Sequence, residues 1–204
     1  MPRRPNGMNV LIVYAHPDPA SLNAALKDQA VDVLAGAGHK VEVSDLYATG
    51  FNPVAQTGNS AAAVEAEVDK LARADLLIFQ FPLWWSSLPA MLKGWVDRVF
   101  AAALSQGKLR GNGTFPAKRA MLSFTTGGRA DSFGSNERHG DIDEMMRHVH
   151  HGMFHYVGME VLPPFIVYGA ERGAPQDLAA YLAAYRERLL SLDQTSPILF
   201  TRAA

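Results

Sequence analysis

Short apolar runs alternate along the chain with longer segments in which apolar residues recur at helical spacing. Four of the five short runs contain a continuous apolar stretch, which is typical of strands covered on both faces of a sheet. The longer segments repeat apolar residues every three to four positions and indicate helices with one buried face. The predicted strands are VLIVYA (10–15), KVEVSD (40–45), LLIFQFP (76–82), RAMLSFTT (119–126) and EVLPPFIVYG (160–169). The predicted helices are 23–38, 61–75, 89–104, 141–158 and 177–192.

This regular alternation predicts a parallel sheet, because right-handed crossovers place each helix over one face of it. We therefore predict an α/β fold: a flavodoxin-like three-layer sandwich with a five-stranded parallel sheet of order 2-1-3-4-5. A single domain is expected over residues 8–204, after a flexible N-terminal segment at 1–7. In that strand order the carboxyl ends of the first, third and fourth strands lie side by side, and a ligand is expected there.

Composition narrows the classes of function. The 204 residues include 19 Lys and Arg against 20 Asp and Glu, a formal charge of −1. This balance argues against nucleic-acid binding, which needs a basic face. The chain has no cysteine, so disulfides and thiol chemistry are excluded. Because no apolar run approaches the roughly 18 to 20 residues of a membrane span, we expect a soluble, cytoplasmic protein.

The loop after the first predicted strand, HPDPASLN (16–23), leads into a helix without a single glycine. Ser21 and Asn23 are residue types that cap helix N-termini, where free amides and the helix dipole attract anions. His16 is a further donor to a phosphate. The alternative is an ordinary capped helix beside a chance histidine.

Two further loops follow the third and fourth predicted strands. FPLWWSSL (81–88) carries Trp84 and Trp85, which pack in the core, in a dimer interface or against a flat aromatic ligand. We favour Trp85 for a ligand pocket. TTGG (125–128) ends in Gly127 and Gly128, which allow close approach of the backbone to a planar group. The three loops thus offer a helix start that attracts phosphate, aromatic side chains that can flank a ring, and a backbone that can approach a planar group closely. Together they predict a flavin site.

Several segments resemble one family along nearly the whole chain, from about Val10 to about Phe200. They are AHPDPASLNAALKD, SDLYATGFNPVA, ADLLIFQFPLWWSSLPAMLKGWVDRVF, AMLSFTTGG, HGDI and FHYVGMEVLPP. The family is the NAD(P)H:quinone oxidoreductases of the DT-diaphorase type. The resemblance implies bound FAD, with FMN the less favoured cofactor. It also implies NAD(P)H as co-substrate, ping-pong transfer of two electrons to quinones, and a homodimer with active sites at its interface.

The resemblance also implies roles for individual residues. His139 matches a histidine that assists proton movement, and Tyr156 matches an aromatic supplied to the substrate pocket by the partner subunit. The amides of Gly127 and Gly128 are expected to stabilise negative charge at the flavin edge. The cofactor contacts would be His16, Ser21, Leu22, Asn23, Pro82, Leu83, Trp84, Trp85, Thr125, Thr126, Gly127, Gly128 and Phe133. The substrate contacts would be Trp85, Ser86, Phe133, His139 and Tyr156.

Two departures from the family pattern affect this site. Phe133 stands where the family has a tyrosine that accompanies the histidine, and Ser86 replaces an aromatic that follows the pocket tryptophan. Two rival functions share the predicted fold: an FMN-dependent azo- or nitroreductase, and a flavin-binding electron carrier or regulatory subunit without turnover. His151 and His155 are four residues apart, but Gly152 occupies the position of the zinc-protease glutamate, so no metal is predicted.

Overall fold

The computed structural model describes residues 7–55, 62–109, 118–170 and 175–200. Six strands are present in this part of the chain: β1 (Asn9–Tyr14), β2 (Lys40–Asp45), β3 (Leu76–Pro82), β4 (Arg119–Thr126), β5 (Glu160–Val161) and β6 (Phe165–Tyr168). The α-helices are α1 (Leu22–Gly36), α2 (Ala62–Arg73), α3 (Ala90–Trp95), α4 (Ala101–Ser105), α5 (Ile142–Val149) and α6 (Pro175–Leu190). The predicted flexible segment 1–7 lies outside the described residues except for Gly7.

All strand pairs in the sheet are parallel, and the order β2-β1-β3-β4 with β5 beside β4 confirms the predicted topology. The predicted fifth strand differs in one respect, because it is divided into β5 and β6. β5 pairs with the start of β4, and β6 pairs with its end. Pro163 and Pro164 lie between the two pieces. Proline has no amide hydrogen to donate to the ladder, so pairing is interrupted there.

Both faces of the sheet are covered, as the apolar strands require. On one face, α1 and α6 pack over Ile12 and Ile78. On the other, α2, α3 and α5 pack over Phe79 and Phe81. Within the described ranges, every helix is too short or too polar to cross a bilayer.

Two of the predicted helices contain wider, π-helical turns. A π-helical segment at Val96–Phe100 joins α3 to α4, and another at His150–His155 extends α5. At the end of α3, the Trp95 indole Nε1 donates to Glu67 Oε2 of α2 at 2.8 Å, and Lys70 Nζ, also in α2, lies 2.7 Å from Glu67 Oε1. The buried carboxylate of Glu67 is thereby paired, which a carboxylate needs when it leaves water.

Candidate functional site

The loop after β1 forms a helix N-terminus that can receive an anion. Ser21 is the N-cap of α1, and its Oγ accepts from the Ala24 amide at 3.2 Å. The Asp18 amide donates to His16 Nδ1 at 3.0 Å. Although Nδ1 also lies 3.2 Å from the Asp18 carbonyl oxygen, it can accept the amide hydrogen only when it is unprotonated. The neutral His16 ring therefore carries its proton on Nε2, which leaves Nε2–H available as a donor.

A buried hydrogen-bonded chain joins this loop to the other two. Asn23 Nδ2 donates to Thr125 Oγ1 at 2.8 Å, and Gln80 Nε2 donates to Asn23 Oδ1 at 2.8 Å. Asn23, Gln80 and Thr125 are all buried. The side chain of Asn23, expected to contact a cofactor, is thus occupied by protein groups. Its contribution to a ligand site is to fix the start of α1 against the ends of β3 and β4.

The two tryptophans lie on a tight turn after β3. The Ser87 amide donates to the Trp84 carbonyl at 3.1 Å, and φ is 49° at Trp85 and 61° at Ser86. Left-handed residues other than glycine cost on the order of 1–3 kcal/mol each and concentrate at functional sites. The Trp85 side chain is 100% exposed and that of Trp84 is 41% exposed, so neither packs in the core of this chain. The ring centroids of Trp84 and His16 are 5.9 Å apart, which brings the first two loops together.

The Gly127–Gly128 loop after β4 is lined by aromatic rings. The Phe133 ring lies 4.9 Å from that of His139 and 5.4 Å from that of Tyr168. A Cβ at Gly128 would lie 2.8 Å from Phe133 Cε2 and 3.1 Å from His139 Cδ2, so glycine is needed for this packing. Burial raises the pKa of the Tyr168 hydroxyl, and the nearby carboxylates of α5 add to this effect.

The amide of Gly128 was expected to be free to donate to a flavin, but it already has an acceptor within the protein. It donates to Thr126 Oγ1 at 3.2 Å, a bond that must be released before this amide can reach a ligand. The Leu83 amide donates to the Thr125 carbonyl at 2.7 Å, which joins the second and third loops just beyond Pro82. The predicted residues of all three loops therefore lie together at the carboxyl ends of β1, β3 and β4.

Tyr156 is the exception among the expected site residues. It follows α5 and the π-helical segment, four residues before Glu160, which pairs with Arg119 at the amino end of β4. The roughly 14 residues of α5 and the π-helical segment, which separate the Gly127–Gly128 loop from Tyr156, span about 20 Å at 1.5 Å per residue. Within one chain, Tyr156 therefore lies at the opposite end of the sheet from the three loops. Its side chain is 58% exposed.

Sequence reasoning missed two residues of this region. Gln80 lies within an apolar strand, and its hydrogen-bond partner Asn23 is 57 positions away in the sequence. A lone polar residue in a strand covered on both faces is the signal that could have identified it. Tyr168 ends β6 beside Thr126, where the predicted strand order already placed the edge of the site.

The paired histidines pack against a phenylalanine ring. The rings of His151 and His155 lie 5.2 Å apart, and both contact the ring of Phe200, at 5.2 and 4.8 Å. In the part of the chain that the structure describes, no group of three or more histidine and acidic side chains could hold a metal ion. An apolar ring thus occupies the space beside the pair.

Comparison with known proteins identifies the family. Residues 8–189 match the family model described as flavodoxin-like fold. The chain belongs to the flavodoxin-like fold family. It is 37% identical to ribosyldihydronicotinamide dehydrogenase [quinone] of Pongo abelii, over 94% of this chain and 95% of that protein. It is 34% identical to NAD(P)H dehydrogenase [quinone] 1 of Cavia porcellus, over 93% of this chain and 79% of that protein.

A solved structure agrees with these relatives. The crystal structure of a proposed quinone reductase from Klebsiella pneumoniae superimposes with a TM-score of 0.89 and 40% identity, covering 96% of this chain and 89% of that one. The resemblance to quinone oxidoreductases drawn from the sequence is confirmed by these three matches. Within the flavodoxin-like fold family, the chain is an oxidoreductase of the NAD(P)H dehydrogenase (quinone) type.

Proposed function

We propose that this chain binds FAD and transfers two electrons, as hydride, from NAD(P)H to quinones by a ping-pong mechanism. The observation that carries the proposal is the meeting of three loops at one sheet edge: an anion-accepting helix start, an exposed tryptophan pair and a glycine loop. These groups fit a flavin nucleotide. Backbone amides and His16 can donate hydrogen bonds to phosphates, while the indole rings and the glycine backbone can pack against a planar ring. Bound FAD would supply the hydride chemistry itself.

The residues of the chain would supply position, polarity and a proton. The first-turn amides of α1 that the Ser21 cap leaves open would bind the phosphates with Nε2–H of His16. The Gly127 amide, and that of Gly128 once released from Thr126, would donate to the polar edge of the ring. The exposed imidazole of His139 would hold or release a proton beside it. Phe133 supplies no hydroxyl, so His139 would act without the family's tyrosine.

We further propose that two copies of the chain complete each site. Trp85 and Tyr156 are large aromatic side chains exposed in the single chain, as is typical of interfaces. Tyr156 lies too far from the three loops of its own chain to line the same pocket, so a partner would have to supply it. A cytoplasmic location is also inferred, and fractionation of source cells would test it.

Turnover by the purified protein tests the proposal. We expect consumption of NADPH or NADH with menadione as acceptor, and release by heat of a flavin that chromatography identifies as FAD rather than FMN. His139→Gln should slow flavin reduction roughly tenfold to a thousandfold in stopped flow, the range for lost acid–base assistance. His151→Gln, at an exposed histidine in the π-helical segment and outside the site, is the matched control. A protein that binds flavin but consumes neither donor would be a carrier or regulatory subunit instead.

The electron donor needs its own comparison. The Pongo abelii relative is named for ribosyldihydronicotinamide, and the Cavia porcellus relative for NAD(P)H. We propose NAD(P)H for this chain. Rates of flavin reduction by NADH, NADPH and ribosyldihydronicotinamide, measured at equal concentrations, would decide it. Reduction by the riboside alone would overturn the proposed donor while leaving the flavin site intact.

A further inference from the structure

The turn that carries Trp85 is joined to helix α5 by a side-chain hydrogen bond. Ser87 Oγ lies 3.2 Å from His148 Nε2, and His148 Nδ1 lies 2.8 Å from the Met145 carbonyl oxygen. A carbonyl can only accept, so Nδ1 carries a proton, and Nε2 of the neutral ring accepts from the Ser87 hydroxyl. The histidine is therefore held by its own helix in the orientation that receives Ser87.

The conformation of this turn needs such support. Trp85 and Ser86 both have positive φ, and neither is a glycine. Residues held in this region persist only when surrounding contacts determine them. The Trp85 indole is fully exposed, so its own packing does not hold the turn in the single chain. Hydrogen bonds of Ser87 hold the turn instead: its amide donates to the Trp84 carbonyl, and its hydroxyl donates to His148 Nε2.

We propose that Ser87 and His148 are a positioning pair that fixes the Trp85 indole for the planar ring of the flavin. The inference rests on the proposed function, because it names the ligand of the same site. Neither residue is catalytic, since both act through the turn. Without the hydrogen bond, Trp85 and Ser86 can relax to right-handed conformations that move the indole. Flavin binding must then restore the turn, so the apparent affinity for flavin is the intrinsic affinity multiplied by the fraction of molecules that keep the turn.

Flavin affinity in a double-mutant cycle tests the pair. FAD is titrated into flavin-free wild type, Ser87→Ala, His148→Ala and the double variant, with quenching of flavin fluorescence as the signal. Loss of a hydrogen bond predicts that each single substitution weakens binding about three- to tenfold. The double variant should be no weaker than the weaker single one, because the two residues act through one bond. Ser87→Thr keeps the hydroxyl and should restore affinity.

A second measurement needs no flavin. Near-ultraviolet circular dichroism of the flavin-free protein should lose tryptophan intensity in Ser87→Ala and His148→Ala, with the melting temperature little changed. Arg147→Ala, exposed on the same helix, and Ser105→Ala, whose hydroxyl donates within its own helix, are the matched controls and should resemble wild type.

The outcomes separate this inference from the proposed function. If wild type binds no flavin, the proposed function fails, and the dichroism still tests whether the pair holds the turn. If wild type binds FAD and Ser87→Ala binds it equally well, the positioning pair is overturned. Additive losses in the cycle, or a changed dichroism without a changed affinity, would overturn it as well.

Discussion

The buried chain of Gln80, Asn23 and Thr125 gives the sharpest prediction about the site. Asn23→Ala removes a donor to Thr125 Oγ1 and an acceptor of Gln80 Nε2, both at 2.8 Å. Gln80 is fully buried, and its Oε1 already has no hydrogen-bond partner among the described residues. The substitution would therefore leave the whole Gln80 amide unpaired. At about 1–3 kcal/mol for each of the two orphaned groups, the expected loss of unfolding free energy is about 2–6 kcal/mol.

Urea unfolding of the flavin-free protein measures this loss without a contribution from ligand. The midpoint should fall while the dependence on urea stays constant, as for a change in stability alone. Asp32→Ala, exposed on the same helix, is the control and should stay within about 0.5 kcal/mol of wild type. Thr125→Val should cost less in the Asn23→Ala background than alone, because the shared bond is already lost. A loss below about 0.5 kcal/mol in Asn23→Ala would show that water replaces the amide and would refute the reasoning.

Three further substitutions test other parts of the structure. Gly128→Ala places a Cβ 2.8 Å from Phe133 Cε2, so the ring must move, and FAD affinity by titration should fall about tenfold or more. Burial lowers the pKa of His150 to about 4 from 6.5, with the charge of a neighbouring histidine adding to it. The unfolded chain therefore binds the proton first, and stability is lost as pH falls from 6.5 towards 4. Urea unfolding measures the difference in unfolding free energy between pH 7 and pH 4, and this difference should be about 3 kcal/mol smaller in His150→Gln than in wild type. An unchanged pH dependence would contradict the assignment. Trp95→Phe removes a donor from the buried carboxylate of Glu67 and should cost about 2–3 kcal/mol in thermal unfolding.

The periodicity of apolar residues was sufficient to predict the sheet. Four of the five predicted strands agree with β1 to β4 to within one residue at either end. Clustering of the three loops followed from topology, because parallel strands with this order place their carboxyl ends at one edge. The division of the last strand at Pro163 was also readable in principle, since proline cannot donate to a ladder.

Other features depend on interactions that a pattern does not encode. The pairing of Asn23 with Gln80 joins side chains 57 positions apart and depends on their rotamers. The left-handed turn at Trp85 runs against local propensity, which favours glycine or asparagine at such positions. The π-helical turns have the same apolar periodicity as ordinary helix over one turn, so the sequence predicted one continuous helix at 141–158.

Flavin content under anaerobic conditions tests the central claim most directly. The purified protein, incubated with excess FAD and freed of unbound cofactor, should be yellow, with FAD bound to each chain. Addition of NADH or NADPH without oxygen should bleach that absorption, and menadione should restore it. A colourless protein that takes up neither FAD nor FMN would contradict the account.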